Sequence, residues 1–332
     1  MLRQISCRIE SWPLSSPFRI SRGVKTAADV VYVEITDGSF SGHGECVPYL
    51  RYGESCESVA AQIDAVSDAI CEGASRDELL SLMPAGAARN AVDCALWDLE
   101  AKIAHQSVSS LINVGTLNPI TTAVTIGLDT PEKMAAAAKP LKGAPLIKVK
   151  VDANDPAACL RAVRAVIPDA QMIVDPNESW NADLLENLQP LLSDLKTTFV
   201  EQPVPAAGDE SLKQFEPLVP NCADESCHTS EGLEELKDCY QIVNIKLDKT
   251  GGLTEALRLL ARARELDFGV MIGCMVSTSL SIAPALHIAQ KADFADLDGP
   301  LWIANDRQGG VILSDGKLSL PKESLWGNTI YI

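Results

Sequence analysis

Two lysines set two residues apart in an otherwise apolar run, Lys148 and Lys150 within P-L-I-K-V-K-V-D, are the residues whose spacing first points to chemistry. Side chains alternate across a strand, so both ammonium groups leave on one face while Ile147, Val149 and Val151 leave on the other. Lysine is rarely buried without a partner, and alone the pair reads equally well as a solvated edge strand. The residues that follow separate the two readings. Asp175 ends Q-M-I-V-D, Glu201 ends T-F-V-E, Asp224 follows N-C-A and Lys246 follows I-V-N-I, each a charge at the end of an apolar run.

Together with Gly127, Gly273 and Asp298 these run-ends recur eight times at intervals of 22 to 27 residues, with helical patterns over 156–166, 184–192, 231–236 and 253–264 between them. That is a βα repeat, and eight parallel strands predict a closed barrel whose catalytic groups sit at the C-terminal strand ends. Asp175, Glu201 and Asp224 then come from three successive strands, where carboxylates repel one another unless a cation joins them. Oxygen-only donors with room for a substrate suit one Mg²⁺, with Mn²⁺ as a substitute. The weaker alternative is three acids, each paired with an arginine or a helix N-terminus.

Lys150 and Lys246 end the second and sixth strands, so they face each other across the barrel mouth. That geometry suits a 1,1-proton transfer, in which a proton leaves one face of a carbon and returns to the other beside a carboxylate whose enolate charge a metal holds. A lysine base at neutral pH needs a lowered pKa, expected here from Lys148 and the metal.

The remainder of the chain must position this layer. With 28 basic against 45 acidic residues among 332, the net charge of −17 disfavours nucleic acid and anionic membranes as partners and argues nothing about the substrate. The N-terminus has no apolar run, which predicts a cytoplasmic protein, and ten scattered cysteines predict reduced thiols. Residues 268–290 carry no charge, but Ser277 to Ser281 and Pro284 break them into strand, loop and helix.

Residues 1–115 lack the βα period. They read as strands over 5–11, 30–36 and 40–46 with a hairpin at Asp37-Gly38, and helices over 60–70, 77–83 and 88–105. Ser75 and Glu78 form a capping-box pattern, and Val92, Leu96, Leu99 and Ile103 an apolar stripe. The expected organisation is an α+β capping domain over 1–115, completed by 307–332 with a hairpin at Asp315-Gly316, and a barrel over 116–306. Two loops, 17–23 with Phe18 and Arg22 and 48–54 with Tyr49 and Arg51, read as solvated loops or as lids over a small anionic ligand.

The motifs K-V-K, D-P-N, E-Q-P, A-D-E-S and N-I-K-L-D-K-T-G-G, in this order on successive strands, resemble the muconate-lactonizing subgroup of the enolase superfamily, whose sites combine a lysine or histidine base with Mg²⁺. The resemblance implies an α/β fold, a (β/α)7β modified TIM barrel with an N-terminal α+β capping domain. It implies Asp175, Glu201 and Asp224 as metal ligands and Lys150 and Lys246 as the bases. Lys148 would tune Lys150 and touch the substrate carboxylate, with Lys249 and Asn177 behind them. The seventh strand end, Gly273-Cys274-Met275-Val276, has no histidine, which disfavours acid-sugar dehydration. Pro176 departs from the small residue usual in the family and removes a backbone donor beside Asp175.

Asp296-Leu297-Asp298 resembles the D-x-D of dipeptide epimerases, where two carboxylates hold the substrate α-ammonium. Alternation puts both on one inward face, and the bland alternative is a cap for the next helix. The implied function is Mg²⁺-dependent epimerisation of a dipeptide, L-Ala-D-Glu/L-Ala-L-Glu, at the α-carbon of its C-terminal residue, in murein peptide recycling. Cycloisomerisation and o-succinylbenzoate synthesis share the lysines but have no ammonium for Asp296 and Asp298; a different dipeptide is a further alternative. A non-catalytic binding barrel would be expected to lack a base or a ligand, and none is missing. Arg22 is expected to hold the substrate's acidic side chain, with Arg51 second and Tyr49 beside them. A homo-oligomer is compatible with all of this.

Overall fold

The computed structural model describes residues 3–214, 216–322 and 325–327. Strands β1 (Gln4–Ile20), β2 (Gly23–Asp37) and β3 (Phe40–Cys46) form an antiparallel sheet in that order. The first two are much longer than the alternation over 5–11 and 30–36 suggested, because pairing resumes past an irregularity between Pro13 and Phe18 and continues to Ile20 and Gly23. Segment 17–23 is therefore the tip of a hairpin turning at Ser21 and Arg22, and the loop expected there is a correction. The hairpin expected at Asp37-Gly38 is present with its turn one residue later, at Gly38 and Ser39, since Asp37 still pairs with Phe40 and Gly38 takes φ 62°.

Four helices follow. The one expected over 60–70 is broken at Val66 into α1 (Cys56–Ala65) and α2 (Ser67–Cys71), whereas α3 (Arg76–Leu82) starts at the capping box of Ser75 and Glu78. Helix α4 (Ala87–Ala104) buries Val92, Leu96 and Leu99, but Ile103 is 40% exposed and the stripe ends before the last turn. Gly42 and Gly44 on β3 allow α4 to lie against the sheet, since a Cβ at these positions would fall 2.1 Å from Ala95 O and 2.0 Å from Ala91 O. The other side of α4 meets the barrel through polar groups that all find partners. Arg89 donates to Thr250 O at 2.7 Å, Asn90 to Asp248 at 2.8 Å, and Asp93 accepts from the Thr254 amide at 3.0 Å.

Beyond α5 (Val108–Leu111) and β4 (Ile120–Thr121), eight parallel strands pair in chain order: β5 (Val124–Ile126), β6 (Leu146–Lys150), β7 (Gln171–Asp175), β8 (Thr197–Glu201), β9 (Asn221–Ala223), β10 (Ile242–Ile245), β11 (Gly269–Gly273) and β12 (Phe294–Asp296). The barrel is nearly closed; its seam is held by the Ala123 amide on Ala295 O at 2.8 Å and by the Leu297 amide on Thr122 Oγ1 at 2.8 Å. Crossovers use α6 (Pro131–Ala138), α7 (Pro156–Val166), α8 (Ala182–Asp194), α9 (Leu247–Thr250) with α10 (Leu253–Glu265), and α11 (Ser279–Ala289). After β8 and β9 the connections carry 3-10 turns, Ala206–Gln214 and Leu233–Leu236, the second in place of the helix expected at 231–236.

The C-terminal hairpin, β13 (Leu313–Ser314) and β14 (Lys317–Leu318), pairs with β4 and not with the N-terminal sheet. Trp326 and Gly327 do return to α4, on Cys94 O at 3.0 Å and Asp98 Oδ1 at 2.7 Å, while 328–332 lie outside the described residues. Residues 268–290 form β11, a loop and α11, and no helix among the described residues is long and apolar enough to cross a membrane. All ten cysteines are free.

Gly44→Ala is expected to destabilise the protein by about 1–3 kcal/mol, because the methyl group must displace the backbone of α4. Urea denaturation checks this, and an unchanged midpoint would mean that the close approach is not a constraint.

Candidate active site

Strand alternation builds two layers inside the barrel. Leu146, Ile173, Phe199, Cys222, Ile242 and Met271 fill the lower one, with Phe294 against them. One or two alternations further along, the same faces carry Lys148 and Lys150, Asp175, Glu201, Asp224, Lys246, Gly273 and Asp296. An apolar plug thus lies under a charged layer at the C-terminal strand ends. Lys148 is only 2% exposed, and Lys150, Lys246, Asp175, Glu201 and Asp224 are buried as well.

The charges are paired across strands. The Lys148 ammonium lies 3.0 Å from Asp175, 2.6 Å from Glu201 and 2.8 Å from Asp296. Lys150 holds Asp175 at 2.5 Å, and Asp224 receives Lys246 and Lys249, each at 2.7 Å. Lys249 also donates to Asn244 O at 2.9 Å, and the Asn177 amide to Asp175 at 2.8 Å, so both brace carboxylates. Pro176 leaves that bond intact.

Burial would raise the Asp175 and Asp224 carboxyls, but the lysines outweigh it and hold both below the ordinary carboxylate range. Glu201 goes the other way, pushed up to about 7 by burial and by Asp175. The lowered proton affinity expected of the base lysines depends on Lys148 and a bound metal; facing the carboxylates alone, Lys246, like Lys148, is shifted the other way. Burial opposes their charge, yet the facing carboxylates, Asp296 first for Lys148 and Asp224 for Lys246, hold both ammonium groups well above their usual value.

The carboxylates suit a hard divalent cation in donor type. They are oxygen ligands from adjacent strands, and two of them already share one cation, the Lys148 ammonium, which lies against Asp175 and Glu201 Oε2. As they stand, no three acidic, cysteine or histidine side chains among the described residues form a metal cage, because Asp224 is turned onto Lys246 and Lys249.

Above this layer lies a cavity of about 430 Å³ between barrel and cap, lined by Lys150 and Lys246 from strands four apart. Asp296 and Asp298 line it too. Asp296 Oδ1 is buried without a partner, while Asp298 accepts from the Thr125 amide at 2.7 Å and makes no capping bond to the turn after it. Arg22 does not point a free guanidinium inward; it donates to Glu225 at 2.7 Å, Glu178 at 3.1 Å and the Tyr49 hydroxyl at 2.9 Å. Arg51 forks onto Glu178 at 2.7 and 2.8 Å.

Sequence reasoning missed four residues here. Lys25, on β2 and over the Tyr49 ring at 5.3 Å, is the one basic residue among the described residues lining the cavity that makes no ion pair. Asn244 donates to Glu201 at 2.8 Å, and Gln202 Oε1 takes the Asp224 amide at 2.9 Å. At Gly273 a Cβ would lie 2.7 Å from Asn244 Oδ1 and 3.0 Å from Lys246 Cε, so the missing side chain makes room for both. Of these, Asn244 was legible as an inward position two residues before Lys246.

Lys148→Met is expected to lower stability by about 3 kcal/mol or more in chelator, because three buried carboxylates lose their shared cation. Calorimetry in chelator checks this; a variant as stable as the wild type would show that the ammonium does not balance them.

Comparison with known proteins identifies the family. A family model for the mandelate racemase/muconate lactonizing enzyme N-terminal domain matches residues 3–113, and an enolase C-terminal domain-like model matches 132–329. The chain is 47% identical to an L-Ala-D/L-Glu epimerase of Escherichia coli, covering 96% of this chain and 100% of the relative. It is 43% identical to an N-acetyl-D-glutamate racemase of Pseudoalteromonas, covering 90% and 95%. An enolase family member from Agrobacterium tumefaciens with homology to dipeptide epimerases, with bound sodium and L-Ala-L-Glu, superposes with a TM-score of 0.96 at 49% identity over 98% and 100% of the two chains. A dipeptide epimerase from Cytophaga hutchinsonii, complexed with Mg and D-Ala-L-Val, gives 0.90 at 26% identity over 97% and 94%. With its two domain types matched in order over residues 3–113 and 132–329, the chain belongs to the mandelate racemase/muconate lactonizing enzyme family of the enolase superfamily.

Proposed function

We propose that this chain epimerises a dipeptide at the α-carbon of its C-terminal residue, most specifically L-Ala-D-Glu and L-Ala-L-Glu, in the turnover of murein peptides. One observation carries the reading: Lys150 and Lys246 enter a single cavity from opposite walls, and the Asp296/Asp298 pair borders it. A carbon held between two such groups can lose its proton to one Nζ and regain a proton from the other, which inverts it. Which lysine starts as the base depends on which epimer enters.

Asp296 Oδ1, buried and without a partner, accepts the substrate α-ammonium, and Asp298, fixed by the Thr125 amide, completes a two-carboxylate clasp. Lys25 takes the acidic side chain, in place of Arg22, since the Arg22 and Arg51 forks are already on Glu178 and Glu225. Asp175, Glu201 and Asp224 would hold a divalent cation such as Mg²⁺, which when bound supplies a Lewis acid beside the substrate carboxylate. Lys148 then keeps that carboxylate end cationic. The relatives and solved structures named epimerases support the reaction class, and the Mg-complexed neighbour supports the metal.

Lys246→Ala is expected to keep deuterium exchange at the α-carbon of one epimer, through Lys150, while net epimerisation falls about 100-fold or more. Equal loss of exchange from both epimers would count against two-sided transfer. Lys25→Met is expected to lower kcat/KM for L-Ala-L-Glu about tenfold and leave L-Ala-L-Leu nearly unchanged. If the ratio of the two substrates stays constant, Lys25 is not the specificity cation.

A further inference from the structure

The turn that follows Asp175 is built against local preference. The Ser179 amide donates to Pro176 O at 3.2 Å, and the residues between, Asn177 and Glu178, have φ of 48° and 66°. Two successive left-handed positions favour Asn-Gly, because any Cβ in that region is strained. A glutamate at the second position therefore stands where its backbone alone would select glycine, so its side chain must offset that cost.

That side chain joins four segments. The Glu178 carboxylate, 8% exposed, accepts from Arg51 Nε and Nη2 at 2.7 and 2.8 Å, from Arg22 Nη1 at 3.1 Å and from the Ala206 amide at 3.0 Å. Its backbone neighbour Asn177 O accepts from Ser21 Oγ at 3.2 Å and again from Arg22 at 3.1 Å. Both pieces of the cap that cover the cavity, the β1–β2 hairpin tip and the segment after β3, thus meet at the Glu178 carboxylate, the tip being held also by Asn177 O and Glu225.

We propose that Glu178 is a positioning residue that latches both cap segments over the cavity and, by engaging Arg22 and Arg51, leaves Lys25 as the cation that selects an acidic side chain. The substrate clause rests on the dipeptide epimerase reading; the latch itself does not. Arg22 has a second tether at Glu225, whereas Arg51 ion-pairs with Glu178 alone among the described residues, so loss of Glu178 should free the second segment more than the first.

Two variants of the whole protein test this without turnover. Glu178→Gly removes the latch and relieves the backbone, and Glu178→Gln keeps the shape but not the charge. In both, trypsin cleavage after Arg51 is expected to speed up about tenfold or more, with a smaller rise after Arg22, while distant sites and the melting temperature stay near wild type. No acceleration after Arg51, or acceleration spread over the whole chain, overturns the latch. With dipeptide, KM is expected to rise more than kcat falls, and Arg51→Gln combined with Glu178→Gln to cost little beyond either alone. A collapse of kcat with a raised Mg²⁺ requirement would instead assign Glu178 to holding Asp175. If the wild type turns over no dipeptide, the functional reading fails while the cleavage experiment still decides the latch.

Discussion

A layer of buried opposite charges at the barrel mouth is the constraint on which the rest of the structure depends. Lys148, Lys150, Lys246 and Lys249 face Asp175, Glu201, Asp224, Asp296 and Asp298 in one buried layer. Desolvated charges are tolerable only when paired, and here one carboxylate exceeds the lysines. Glu201, fully buried and beside Asp175, has its carboxyl pushed up to about 7. An excess of acid next to cations aimed from two sides fits a space arranged to admit further positive charge together with an anionic substrate.

The scaffold serves that layer. The apolar plug from Leu146 to Met271 fills the barrel floor, so the charged side chains have only the cavity side open to them. Helix α4, wedged against β3 through Gly42 and Gly44, fixes the start of the α9–α10 region through Asn90 on Asp248 and Asp93 on Thr254. Asp248 lies two residues after Lys246 and also takes the Val47 amide at 3.0 Å, so the cap's position and that of the lysine are set together.

Most of the barrel was legible because evenly spaced apolar runs that each end in a charge suit parallel strands opening onto one polar mouth and suit little else. The strands carrying Lys150, Asp175 and Glu201 end at those residues, and Asp224 and Lys246 directly follow theirs. The hairpin tip was misread as a loop because pairing to Ile20 depends on a partner strand whose extent local pattern does not show. Partner choice was the other blind spot. Arg22 and Lys25 lie three residues apart, and only the fold shows that Glu178 and Glu225, from distant strand ends, engage the first and leave the second without an ion pair among the described residues. Gly273 was visible as a missing histidine, but its steric role toward Lys246 needed the neighbouring strand.

The most direct test follows the α-protons of L-Ala-L-Glu by NMR in D₂O with wild-type enzyme and Mg²⁺, beside N-acetyl-L-glutamate, which resembles the substrate of one relative and has no ammonium. The account predicts loss of the glutamate α-proton signal and growth of L-Ala-D-Glu, an untouched alanine α-proton, and much slower exchange in the N-acetyl compound. Exchange at alanine, no exchange at glutamate, or equal rates for both compounds would contradict it.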